Sequence, residues 1–132
     1  MRLLKNWLPV ILWAAIILSA ANDQFSDEET AGWLEGLFGM TMPGAMNVLM
    51  RKSGHLLAYA TGALLTWRAH RTYFVAILVA LSVSIADETL QAMTITREGS
   101  PFDVLLDGCG AALALLAVAW VRGRRASARE VS

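Results

Sequence analysis

Two carboxylates and an amide stand together in Asp87-Glu88-Thr89-Leu90-Gln91, at the end of an otherwise apolar stretch from Tyr73 to Ala86. Ionisable groups beside lipid are costly, so they face a bundle interior or a watery cavity and by default mark a functional site. Two other segments supply partners. Lys52, Ser53, His55 and Tyr59 open one apolar run, and Arg97, Ser100, Asp103 and Asp107 lead into another. A histidine near carboxylates suits general acid–base work. Lysine and arginine suit the gripping of phosphate, and carboxylates with Gln91 suit sugar or amine groups.

The elements that must position these residues are apolar. With 56% hydrophobic and 17% charged residues in a chain of 132, a membrane protein is a better expectation than a small soluble domain. Net charge is zero at pH 7, which leaves no basic field for nucleic acid. No zinc-ligand spacing, phosphate loop or nucleic-acid motif is present. Cys109, the one cysteine, cannot form an internal disulfide and is expected to pack as a small residue.

Four apolar segments can be drawn, from about Leu3 to Ala21, Ser53 to Trp67, Tyr73 to Met93 and Val104 to Val121. A span needs roughly 20 residues, so the second must begin upstream, near Pro43-Gly44 or Ala45, carrying Arg51 and Lys52 at the headgroup level. Trp7, Trp67, Tyr73 and Trp120 suit interfacial anchoring, whereas Trp13 lies too deep. Arg2 and Lys5, then Arg68 and Arg71, then Arg122, Arg124, Arg125 and Arg129 all fall on one side, which the positive-inside rule makes cytoplasmic. His70 lies in that basic turn and is expected to be solvated. The first segment, ending in Ser19-Ala20-Ala21, would also pass as a cleavable signal peptide. Retention is the expectation, because cleavage would remove one wall of a small bundle.

The loop from Asn22 to about Met50 is acidic and belongs outside with Glu98 and Asp103. Within it, Ser26 and Glu29 fit a capping box. Thr30, Trp33, Leu34, Leu37 and Phe38 follow at helical spacing, as in a short amphipathic helix on the membrane or over the bundle mouth. Gly39 and Pro43-Gly44 end it.

This sidedness makes the polar residues converge. The second span descends with Lys52, His55 and Tyr59 on one face. The third ascends and brings Asp87, Glu88 and Gln91 to its outer end. The fourth descends with Asp103 and Asp107 one turn apart, after Ser100-Pro101, a helix start in which serine caps and proline takes the first position. Gly54, Ala58 and Gly62, and Gly108 and Ala112, repeat at four-residue spacing and let helices approach closely.

Each polar residue also has a plain reading. Arg51 and Lys52 would snorkel to headgroups, His55 would be a packing hydrogen-bond partner, and Asp87 and Glu88 would lock helices by bonding Lys52 and Arg97. Asp107, the deepest carboxylate, must be paired or protonated.

In this order the residues resemble the VanZ-like family of bacterial membrane proteins, most strongly over 51–116. The resemblance rests on Lys52-Ser53-Gly54-His55 with Tyr59 and Gly62, on Asp87-Glu88 with Gln91, and on Arg97, Ser100, Asp103 and Gly110. The chain departs from the pattern at Ile95, where the family usually has proline, and at Asp107, where it usually has asparagine. The resemblance implies a multi-pass envelope protein and, from the founding member, a modest resistance to the lipoglycopeptide teicoplanin. Some members carry enzyme names such as phosphotransbutyrylase, but nothing in this sequence looks like an acyl-coenzyme A site.

The expectation is an all-α membrane protein with one domain over residues 1–132. It is a four-helix transmembrane bundle with both termini cytoplasmic, in the bacterial cell membrane. Three function classes fit. A binding protein would hold a lipid headgroup or envelope precursor through Lys52, Tyr59, Asp87, Gln91, Arg97, Ser100 and Asp107. An enzyme would use His55 as base, Glu88 or Asp103 as acid or orienting group, and Arg97 on developing negative charge. A proton-coupled carrier relaying through Asp107 and Asp87 fits least, since only Ser82 and Ser84 lie below the acidic end of the third span. No cofactor or metal is assigned, although one imidazole among carboxylates would suit manganese or magnesium more than structural zinc. The expected partners are membrane lipids, an envelope precursor or a lipoglycopeptide, and no nucleic acid.

Overall fold

The computed structural model describes residues 2–21, 32–33, 35–37, 39, 44–94 and 99–130. Among them there is no strand. Four long helices follow one another: α1 (Arg2–Ser19), α2 (Gly44–His70), α3 (Tyr73–Ala92) and α4 (Pro101–Glu130). As expected, α2 begins well upstream of its apolar run, and its 27 residues give about 40 Å of helix. Pro101 opens α4, and the carbonyl of Ser100 accepts the amide of Asp103, so Ser100 is the cap residue.

Cross-helix contacts set the directions. Along α2 and α4, Lys52 meets Asp103, His55 meets Asp107, and Trp67 meets Arg122, so these helices run parallel. Tyr59 meets Asp87 and Ser84 meets Asp107, so α3 runs antiparallel to both. Trp13 of α1 reaches Ala58, and Trp7 reaches His70, so α1 is antiparallel to α2. The α2–α3 turn is Arg71-Thr72. Arg71 takes a left-handed backbone (φ 64°), its amide bonds the carbonyl of Trp67 at 2.7 Å, and its guanidinium covers the Trp67 ring at 4.9 Å.

Each inner helix buries one stripe. On α3 it is Ala76, Ala80, Ser84, Asp87, Glu88 and Gln91; on α2 it is Tyr59, Gly62, Ala63 and Thr66. Toward the arginine end the interior is small and apolar, built from Ala63, Ala76, Ala80, Ala111 and Leu115. Toward the other end it turns polar. Among the glycines within helices, two make the closest approaches: a Cβ at Gly62 would run into the ring of Trp13, and one at Gly110 into the main chain of Leu56. Gly54, expected to share this role, has open space beside it.

The outer surface is apolar. α3 and α4 are long and apolar enough to cross a membrane, with only 28% and 22% of their apolar windows buried inside the protein. A core helix of a soluble protein would be mostly buried. Here Phe74, Leu78, Ile85, Leu105, Leu113 and Leu116 face outward. The apolar part of α1 is the shorter stretch Leu4–Ser19.

Trp13, too deep for an interfacial anchor, is a buried packing residue, 8% exposed, whose indole N–H donates to the carbonyl of Ala58 at 2.9 Å. The expectation for Cys109 changes. Cys109 is exposed, because the buried stripe of α4 runs through Asp107, Gly110 and Ala111 and leaves it outside. In the first loop Trp33 and Leu37 are helical and exposed, and Gly39 takes φ 66° with its amide on the carbonyl of Glu35, the helix end expected there. The capping pair Ser26 and Glu29, with Thr30, Leu34 and Phe38, lies outside the described residues.

Candidate functional site

The polar cluster has a rim and a floor. At the rim, Lys52 Nζ pairs with Asp103 Oδ1, both side chains partly exposed, and the ammonium also lies 5.5 Å from the centre of the Phe102 ring. The plain reading gave Lys52 a partner in Asp87 or Glu88. The lysine bonds Asp103 because α2 and α4 run parallel and in close contact at Gly110, which brings their mouths level.

Beneath the rim, His55 Nδ1 stands 3.3 Å from Asp107 Oδ1, a carboxylate that is 1% exposed. The other oxygen of Asp107 accepts the hydroxyl of Ser84 at 2.6 Å. Glu88 Oε2 accepts the main-chain amide of Ser100 at 2.7 Å. Ser100 thus enters the site through its backbone. Tyr59 donates its hydroxyl to Asp87 Oδ2 at 3.0 Å, its ring stacks on His55 with centroids 6.3 Å apart, and Trp13 packs edge-on against it at 5.7 Å. Gln91 is buried on the same stripe of α3. Arg97, expected at this mouth, lies outside the described residues, as do Ile95 and Glu98.

Two openings flank the cluster. A cavity of about 40 Å³, room for one or two small species, is lined by Val48, Arg51, Lys52, His55 and Asp103. On the other side, a broader pocket of about 460 Å³ passes Glu88 between Ile85, Ala92, Gly99, Pro101 and Val104. Below Ser84 the interior becomes alanine and leucine apart from Thr66, whose hydroxyl donates to the carbonyl of Gly62 on its own helix, so among the described residues the charged groups stop about halfway down.

Ser84 was not among the expected site residues. Its signal was there: Ser84, Glu88 and Gln91 fall at i, i+4 and i+7, one face of one helix.

The VanZ/LLP1 family model matches residues 6–122, spanning all of the cluster. The chain belongs to the VanZ-like family. No curated protein and no solved structure matches it. Membership, with the outward apolar faces of α3 and α4, makes this a membrane protein. In this VanZ-like chain Lys52 and Asp103 form the rim, His55 and Glu88 the floor, and Tyr59 with Asp87 the wall.

Proposed function

We propose that this VanZ-like chain crosses the bacterial cell membrane four times, with both ends in the cytoplasm, and binds the headgroup of a lipid or lipid-linked envelope precursor in its outward-facing polar mouth. The observation that carries this reading is the asymmetry of the interior. Groups from α2, α3 and α4 meet at one end, while Arg71 and Arg122 on Trp67, and Arg124 on Trp120, mark the other. Basic residues belong on the cytoplasmic side, so the polar mouth belongs outside. Lys52 at the rim would meet an anionic group, the floor carboxylates would meet hydroxyl or amine groups, and the apolar pocket beside Glu88 would take the start of a lipid chain.

A second reading, an acid–base enzyme on such a lipid, is favoured by one contact. The Asp107 carboxylate beside Nδ1 would hold the imidazole of His55 with its face toward the small cavity, as a carboxylate orients a catalytic histidine. Glu88 or Asp103 would then serve as the acid.

Native mass spectrometry of the detergent-solubilised protein tests the binding reading. One lipid per chain should survive detergent exchange and be lost in Lys52→Gln; equal retention by the variant would refute it. The teicoplanin resistance implied by the family would be expressed through the same mouth. Lys52→Gln should then abolish any rise in teicoplanin tolerance that the wild-type chain confers on a susceptible host.

A further inference from the structure

We propose that His55, Glu88 and Asp107 form a binding site for one divalent cation, best suited to Mn²⁺. The three come from three helices, and one ligand atom from each lies within 4.8 Å of the others. Ligands about 2.0–2.2 Å from a shared ion stand about 3–4 Å apart. The 3.3 Å between His55 Nδ1 and Asp107 Oδ1 already has that spacing.

The pattern of hydrogen bonds is the second, independent observation. Each carboxylate is held by one oxygen only: Asp107 by the Ser84 hydroxyl, Glu88 by the Ser100 amide. Of the remaining atoms, Glu88 Oε1 is buried with no hydrogen-bond partner among the described residues, and Asp107 Oδ1 and His55 Nδ1 have only each other, at 3.3 Å and without hydrogen-bond geometry. Asp107 and Glu88 are 1% and 6% exposed. A buried polar atom left without a partner is destabilising, more so when charged, so a partner shared by the three residues would stabilise the floor. A water has only two hydrogens to offer and brings no charge. A dication meets all three and balances two carboxylates.

The anchored oxygens do for these ligands what outer hydrogen-bond partners do at metal centres generally: they fix which atom faces the ion. One nitrogen and two oxygens, with no thiolate, lie between the donor sets preferred by zinc and by magnesium, which favours Mn²⁺. Asp107 supplies one of the two negative charges at the site, and asparagine at this position would supply one charge fewer. The site does not depend on the headgroup reading.

Mn²⁺ itself is the probe. Metal-free protein in detergent, with no lipid added, is titrated with Mn²⁺ while the free ion is followed by electron paramagnetic resonance. The bound ion is then examined by pulsed resonance for coupling to nitrogen. One ion per chain, coupled to one imidazole nitrogen, is expected. Asp107→Asn keeps an oxygen for the Ser84 hydroxyl and should fold, yet weaken binding by at least the roughly 10–100-fold seen when an outer hydrogen-bond partner is lost. His55→Gln should abolish the nitrogen coupling. Failure to bind one ion, a bound ion without nitrogen coupling, or equal affinity in Asp107→Asn would each overturn the proposal. The wild-type spectrum decides even where a variant fails to fold.

Discussion

Ser84 Oγ donates to Asp107 Oδ2 at 2.6 Å, joining α3 to α4 where no water reaches either side chain. That bond turns the second oxygen of Asp107 toward His55 on α2, so one serine sets how three helices meet at the floor of the mouth.

The carboxylate can be tested apart from its shape. Asp107→Asn keeps an oxygen for Ser84 and should lower the melting temperature little. Asp107→Ala strands the Ser84 hydroxyl and opens a void, and should destabilise by about 1–3 kcal/mol. Thermal unfolding in detergent would separate the two; equal loss in both would mean that the negative charge is required for folding.

The rim pair should behave differently. Lys52 and Asp103 are 41% and 26% exposed, and such pairs contribute about 0–1 kcal/mol. Lys52→Gln should leave thermal stability nearly unchanged while removing lipid retention. A large drop in melting temperature would assign Lys52 to scaffolding.

Close helix approach is required at two glycines and not at a third. Gly110→Ala sets a methyl group against the main chain of Leu56, which cannot yield, and Gly62→Ala sets one against the Trp13 ring. Each should destabilise by about 1–3 kcal/mol. Gly54→Ala meets open space and should be neutral or stabilising by up to about 1 kcal/mol. Melting temperatures of the three variants give the comparison.

Tyr59→Phe keeps the ring between Trp13 and His55 but leaves Asp87 Oδ2 without its hydroxyl donor. A loss of about 1–3 kcal/mol is expected. Asp87→Asn in the Tyr59→Phe background should recover part of it, since an amide carries no charge to leave unmet.

Helix positions and the inner stripe were legible because both rest on local rules. The polar residues of α2 share a face by spacing alone, Ser100-Pro101 starts a helix by main-chain chemistry, and a span of fixed thickness forced α2 to begin near Gly44. Partner choice was not legible. Which carboxylate Lys52 meets depends on the height at which α2 and α4 touch, and that is set by Gly110 against Leu56, a contact no spacing rule reveals. Trp13 was recognised as too deep for the interface, but its partner carbonyl on α2 depends on how α1 docks. Ser84 was overlooked because a serine in an apolar helix usually bonds its own preceding turn, as Thr61, Thr66 and Thr89 do here.

A mouth open to the cytoplasm would meet no precursor on the outer leaflet, so sidedness is the decisive measurement. With Cys109 replaced, single cysteines at Glu29, Glu98 and Ser127 are treated in intact cells with a membrane-impermeant thiol reagent. Glu29→Cys and Glu98→Cys should react, and Ser127→Cys, among the arginines at the end of α4, should react only after the cells are opened. Labelling of Ser127→Cys in intact cells, with Glu29→Cys and Glu98→Cys protected, would turn the site inward and contradict the account.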